Sequence, residues 1–233
     1  MTIPSLPSAT ALQTSSFPVG WTLYDLQQHL GDIPAERIVL NPPPGFATEL
    51  DLFYLADRDC LCELEFGTLV EKTMGWYESL LANLISFEIS LYLRTHDLGQ
   101  VLGADGMLRI LPGMVKLPDI SFISWSRFPN TKLPRRPVPA LIPDLAVEVL
   151  SDGNSNREMK NKLELYFDAG VRLVWYIDPK SRSATMWQQR DQPQTIAVEG
   201  ELDGCNVLPG LRISLRQIFQ QADRQGPLSD ELV

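Results

Sequence analysis

The run Pro143-Asp144-Leu145-Ala146-Val147-Glu148-Val149-Leu150-Ser151 constrains the fold more than any other stretch of the chain. Leu145, Val147 and Val149 share one face at the strand period of two, and Ala146 and Leu150 flank Glu148 on the other. A strand apolar on both sides belongs in the middle of a sheet that helices cover on either face. Glu148 then lies where an ionised carboxylate is costly unless a metal ion or a cation partners it.

Two nearby segments offer partners. Lys116 to Ile123 reads as a second strand, with Ile120 and Phe122 on one face and Leu117, Asp119, Ser121 and Ile123 on the other. Pro118 has no amide proton for a ladder, so pairing breaks or bulges just before Asp119, and such a break can open a cleft beside the carboxylate. Downstream of Glu148, Asn154 or Ser155 caps a helix that runs to about Ala169 and ends at Gly170. At about 100° per residue, Met159, Leu163, Tyr166 and Phe167 form its apolar face. Lys162 projects inside the wider apolar arc, between Tyr166 and Ala169, while Asn161, Glu164 and Asp168 point away. A lysine on the inward side of that helix is a candidate catalytic cation.

With a Pro-Asp strand, a second strand carrying an inward Glu, and a lysine, the chain resembles the PD-(D/E)XK nuclease superfamily. Within it, the closer resemblance is to the Uma-two family of restriction-endonuclease-like proteins. The matching segments are CELEFGTLVEK at 62–72, LPDISFI at 117–123, PDLAVEVLS at 143–151 and KLELYFDAGVRLVWYIDP at 162–179, and the likeness covers roughly 22–190. Two positions depart from the pattern. The superfamily's lysine two residues after the acidic residue is Leu150 here, and its expected replacement on the following helix maps onto Lys162. The histidine that often opens the family's long helix falls on Tyr77.

The resemblance implies a restriction-endonuclease-like α/β fold with a mixed central sheet flanked by helices. It also implies a site of Glu63, Asp119, Glu148 and Lys162, where Glu63 enters on the resemblance alone. Asp119 and Glu148 could hold Mg²⁺ (or Mn²⁺), since carboxylate oxygens suit a hard cation. Lys162 would hold the attacking water or meet the phosphate. The expected reaction is phosphodiester hydrolysis in nucleic acid, DNA first, by an enzyme that acts as a homodimer like its duplex-cutting relatives. The alternative from another class is an inactive binding or dimerisation module that keeps the nuclease fold. Each residue also has a structural reading: a Glu148–Lys162 salt bridge without metal, an Asp119 bonded to loop amides, or a surface pair of Lys162 with Glu158. Glu63 and Glu65 could equally form a solvated strand edge, and Tyr166 reads as core.

With 44% hydrophobic and 21% charged residues, 233 residues suffice for one domain with a sizeable core, expected over 21–221 between tails at 1–20 and 222–233. No apolar run is long enough for a bilayer and no signal-peptide order opens the chain, so a cytoplasmic protein is expected. Three cysteines and two histidines leave Ser-His, Cys-His and zinc chemistry without support. A net charge of −9 argues against strong non-specific binding to nucleic acid. Docking would fall to a local basic strip, and Arg127, Lys132, Arg135 and Arg136 form a candidate in the Pro-rich loop between the Asp119 and Glu148 strands, where they read equally as a solvated loop that happens to be basic.

Elsewhere, Thr22 opens a short helix and Thr48 caps another at 49–57. CLCELEF and TLVEKTM read as a strand pair, and the longest helix runs from Trp76 to about Thr95. QVLGA, Asp105-Gly106 and MLRIL carry a strong hairpin signal. Strands follow at VRLVWYI, 184–189 and 194–199, with a last helix near 214–221.

Overall fold

The computed structural model describes Phe17 and residues 20–223. The expected tails lie outside the described residues, apart from Phe17, Gly20, Ala222 and Asp223. In chain order the elements are α1 (Leu23–His29), β1 (Ile38–Val39), α2 (Glu49–Ala56), β2 (Cys62–Glu65), β3 (Thr68–Glu71), α3 (Trp76–Leu93), β4 (Gly99–Leu102), β5 (Leu108–Leu111) and β6 (Met114–Lys116). They continue with β7 (Ile120–Ser124), β8 (Leu145–Val149), α4 (Asn156–Ala169), β9 (Leu173–Asp178), β10 (Ser183–Trp187), β11 (Pro193–Ile196), β12 (Glu201–Asp203), β13 (Arg212–Ser214) and α5 (Leu215–Ala222). Among the described residues no helix is long and apolar enough to cross a membrane.

The central sheet has the order β11-β10-β9-β8-β7-β4 and is mixed, with β8 and β9 parallel and the other neighbours antiparallel. As its two-sided apolar pattern requires, β8 lies inside this sheet and is buried along its whole length. Leu145, Val147 and Val149 face α3 and α5, packing with Leu81, Ile85 and Ile89 of α3 and Leu215, Ile218 and Phe219 of α5. Ala146 faces the other way, toward Met159, Leu163 and Tyr166 of α4. The α/β fold with a mixed sheet between helices is therefore as the sequence indicates.

A second, antiparallel sheet, β1-β3-β2-β6-β5, stands beside it with its own apolar cluster around Leu52, Cys62, Leu64, Leu69, Val115 and Leu117. Two sequence readings change as a result. The expected strand from Lys116 to Ile123 is two strands in different sheets, and Leu117-Pro118-Asp119 carries the chain between them. The break that Pro118 imposes is thus a change of sheet rather than a bulge. The hairpin expected around Asp105-Gly106 does not form either: β4 pairs with β7, and β5 pairs with β6. A two-residue hairpin of type I′ needs positive φ at both turn positions, and neither Asp105 nor Gly106 has it. Gly113, in the Pro112-Gly113 turn joining β5 to β6, does have it, at φ 73°.

Helix α4 is fixed at its start by contacts from far along the chain. Ser155 and Glu158 form a capping box, and the Ser155 hydroxyl also donates to the carbonyl of Gly31. Arg37 meets Glu158 through two hydrogen bonds, 2.9 and 3.0 Å, both buried. Gly31 has φ 91°, and a Cβ there would lie 2.6 Å from the Glu158 Cα. The turn after α1 is thus pressed directly onto the first turn of α4, one turn ahead of Lys162. Gly31→Ala should cost about 3 kcal/mol, combining left-handed strain with overpacking against a backbone that cannot yield. Chemical denaturation checks this. A loss below about 0.5 kcal/mol would show that the clamp is slack.

Candidate active site

The ladder between β7 and β8 pairs Ile120 with Val147 and Ser121 with Ala146. One step further in the same register, Asp119 comes level with Glu148, in reach of side-chain contact. Because Asp119 precedes β7, its side chain is free to act where the ladder stops. Its Oδ2 accepts the Val149 N–H at 2.7 Å, and its Oδ1 takes the ammonium of Lys72 at 2.8 Å.

Lys162 points inward, as its place on the helical wheel indicates. Its Nζ lies 3.2 Å from Glu148 Oε1 and 3.1 Å from Glu63 Oε1, so one ammonium joins a strand of each sheet. Glu158, the alternative surface partner, is engaged with Arg37 instead. Glu63 also accepts the Leu117 N–H, and its Oε2 is 3.0 Å from Lys116, which reaches Glu65 at 2.7 Å. The Tyr166 hydroxyl donates to Glu148 Oε1. Asp119, Glu148, Glu63 and Lys162 are all buried and belong to one network, and Tyr166 is both core and a partner of the site.

The two glutamates are held in opposite electrostatic states. Burial raises both, but the ammonium groups of Lys116 and Lys162 outweigh it at Glu63 and hold that carboxyl well below the usual range. At Glu148 burial wins, helped by the neighbouring Asp119 charge against the pull of Lys162, and the carboxyl is pushed up to about 7. Lys116 is raised to about 12, because Glu63 and Glu65 outweigh the effect of burial. Lys162 also lies well above its ordinary value, where Glu148 and Glu63 outweigh burial.

A hard cation finds suitable donors where Asp119 and Glu148 stand level across the ladder. Among the described residues both contacts of Glu148 fall on Oε1, and Asp119 is level with it across the ladder. The buried Ser121 hydroxyl, next on the same strand face as Asp119, has no hydrogen-bond partner among the described residues. Glu63 is turned to its lysines, and among the described residues no group of three or more His, Cys, Asp or Glu side chains is arranged to hold a metal. Asp119 and Glu148 therefore fit a single Mg²⁺-like ion that completes its shell with water, provided that Lys72 yields its place on Asp119.

The family model Uma2, described as "Putative restriction endonuclease", matches residues 48–216, a span that holds every member of this network. The chain belongs to the Uma2 family. A solved structure described as a putative nuclease belonging to DUF820, from Anabaena variabilis, matches with a TM-score of 0.62 at 17% identity. The match covers 70% of this chain and 92% of that one, and at such low identity it establishes the fold alone. No curated protein matches the sequence.

Other expected site residues of this Uma2 member lie elsewhere. Arg127 donates to Asp144 Oδ1 at 3.0 Å and to the Gly170 carbonyl at 2.8 Å, and Arg172 joins the same carboxylate at 2.9 Å. Asp144 precedes β8 and Glu148 comes four residues later, which separates Arg127 from the site by about 13 Å of extended chain. Arg127 is thus engaged as a structural clamp between Asp144 and Gly170. Lys132, Arg135 and Arg136 are exposed and make no ion pair among the described residues. Tyr77 donates to Asp223 at 2.6 Å, and burial together with that carboxylate raises it to about 12. Lys72 and Lys116 are the residues that sequence reasoning missed. Lys116 could have been found as the cross-strand partner of Glu63, one step beyond the Leu64–Val115 pair, had the five-stranded sheet been recognised; Lys72 follows the end of β3 and carries no periodic signal.

The opposite states of the glutamates give opposite mutational outcomes. Glu148→Gln leaves Lys162 paired with Glu63, so its stability at pH 8 should equal or exceed that of the wild type. A raised carboxyl contributes stability below about 4.5 that is lost as the pH rises through about 7, so the variant's advantage should grow over that window. Glu63→Gln should cost about 3 kcal/mol at pH 7 by breaking a buried pair. Because a lowered carboxyl contributes stability above its ordinary value, that loss should shrink in acid. Urea titrations of both variants at pH 5 and pH 8 check the signs, and equal losses at pH 8 would refute the asymmetry.

Proposed function

We propose that this protein is a metal-dependent nuclease that hydrolyses phosphodiester bonds, with DNA as its substrate. The observation that carries the reading is Lys162 held 3.1 and 3.2 Å from the carboxylates of Glu63 and Glu148 in a Uma2 chain, with Asp119 level with Glu148. Asp119 and Glu148 would hold Mg²⁺ or Mn²⁺, which when bound supplies a Lewis acid and a water of lowered pKa. Lys162 provides the ammonium that meets negative charge growing on the phosphate oxygens or orients the attacking water. Tyr166 fixes Glu148 from the α4 side, and Glu63 keeps Lys162 from swinging away. Asp119 also lines a depression of about 370 Å³ with Trp76, Leu80 and Asn83, which we take as the substrate entrance. Duplex cleavage would use a homodimer, one site per strand, acting in the cytoplasm.

The wild type should cleave a mixed DNA and RNA substrate set only with Mg²⁺ or Mn²⁺ present. Asp119→Asn, Glu148→Gln and Lys162→Met should each lose at least about a hundredfold in rate. Glu148→Gln should also lose the rise in melting temperature that Mg²⁺ produces in the wild type. An inactive module of the same fold is the second reading. It is favoured by the ion pairs that already engage Lys72, Lys116 and Lys162, and by the net charge of −9. Wild type that neither cleaves nor responds to metal would establish it.

A further inference from the structure

A cation already stands at the Asp119 end of the network. Lys72, the residue after β3, reaches from the five-stranded sheet to the start of β7. Its ammonium lies 2.8 Å from Asp119 Oδ1, 2.5 Å from the Leu117 carbonyl and 3.2 Å from the Ala104 carbonyl. An ammonium has three protons, and here three oxygens converge on it. One carboxylate oxygen and two carbonyls around a single positive charge form the kind of hard-oxygen cradle that takes a small cation. The Lys72 charge is also felt at Glu63 and Glu148, so it belongs to the electrostatics of the whole site. Because the Val149 N–H holds the other oxygen of Asp119, the contact with Lys72 falls on the oxygen left for a metal. Asp119 and Ala104 both border the 370 Å³ depression, which gives the displaced side chain room to move.

Resting on the nuclease reading above, we infer that Lys72 is a positioning residue: a tethered cation that holds the cation position on Asp119, so that Lys72 and a divalent metal ion occupy that carboxylate in turn. A lysine that merely ties two sheets together has no such exchange to make. Its removal would lower stability and leave the surviving pairs untouched, and metal would not move it.

Manganese titration by calorimetry tests this on the full chain. Lys72→Met should bind Mn²⁺ at least tenfold more tightly than wild type, and Lys72→Arg should restore the wild-type affinity. Without metal, Lys72→Met should melt lower than wild type, because Asp119 loses its cation, and Mn²⁺ should close that gap. Should Lys72→Met fail to fold, nitrogen-15 spectra of the wild-type lysine ammonium groups decide alone. Titration with Mg²⁺ should move the Lys72 resonance and open it to solvent exchange while Lys116 stays in place. Wild type that binds metal with Lys72 unmoved, or with an affinity that Lys72→Met does not raise, overturns the inference and leaves the nuclease reading standing. Absence of metal binding in both proteins overturns the two together.

Discussion

Lys162 is the interaction on which the rest of the arrangement depends, because it is where a helix and both sheets meet in one charge. Its Nζ touches Glu148 of the six-stranded sheet and Glu63 of the five-stranded sheet. Lys72 repeats the pattern from the other direction, carrying a positive charge from the smaller sheet to Asp119 at the start of β7 in the larger. Arg37 does so a third time, joining the segment after α1 to Glu158 at the start of α4. Buried ion pairs of this kind add little net stability over apolar packing, since desolvation takes back most of the Coulomb gain. Their effect is on geometry: removing either partner leaves a costly unpaired charge, so the two sheets and α4 can dock in only one register.

The charges in this seam do not cancel. Glu63, Glu65, Asp119 and Glu148 supply four negative groups, and Lys72, Lys116 and Lys162 supply three positive ones. The deficit falls on Glu148, which sits beside Asp119 and shares Lys162 with Glu63. Burial raises both glutamates; two lysines outweigh it at Glu63 and hold that carboxyl low, whereas at Glu148 burial and the neighbouring Asp119 charge outweigh the shared Lys162 and push the carboxyl up to about 7. A network built only to lock two sheets together has no reason to be one cation short. One that must receive a cation does, and this is the physical link between the packing and the proposed chemistry.

Much of this was legible in the sequence, for reasons that differ between elements. The period-two pattern of 145–149 places β8 in the interior and marks Glu148 as needing a partner. The wheel of α4 turns Lys162 inward, and the capping pattern at Ser155 and Glu158 sets where that helix begins. These are local signals, and local structure obeys them. The division of Lys116 to Ile123 between two sheets was not legible, because periodicity continues across Pro118 while the partner strands change. The Asp105-Gly106 turn misled for the same reason: each flanking strand finds its partner in a different sheet. The engagement of Arg127 leaves no mark in the sequence, because its acceptors, Asp144 and Gly170, are distant along the chain.

The position of Lys72 shows why a site of this type can be half read from sequence. A carboxylate inside an apolar strand announces itself, since burial without compensation is forbidden by its cost. The compensating cation need only be near in space, and a long flexible lysine can come from any chain end that lies within reach. Asp119 could be nominated from Pro118 and the strand that follows; its partner could not, because Lys72 follows a strand of the other sheet and meets Asp119 only through the packing of the two sheets. The same freedom makes Lys72 suited to exchange. A side chain anchored outside the ladder and bonded through one terminal ammonium can leave Asp119 without unmaking a strand, whereas Glu148 and Lys162 are fixed by the sheet and helix that carry them.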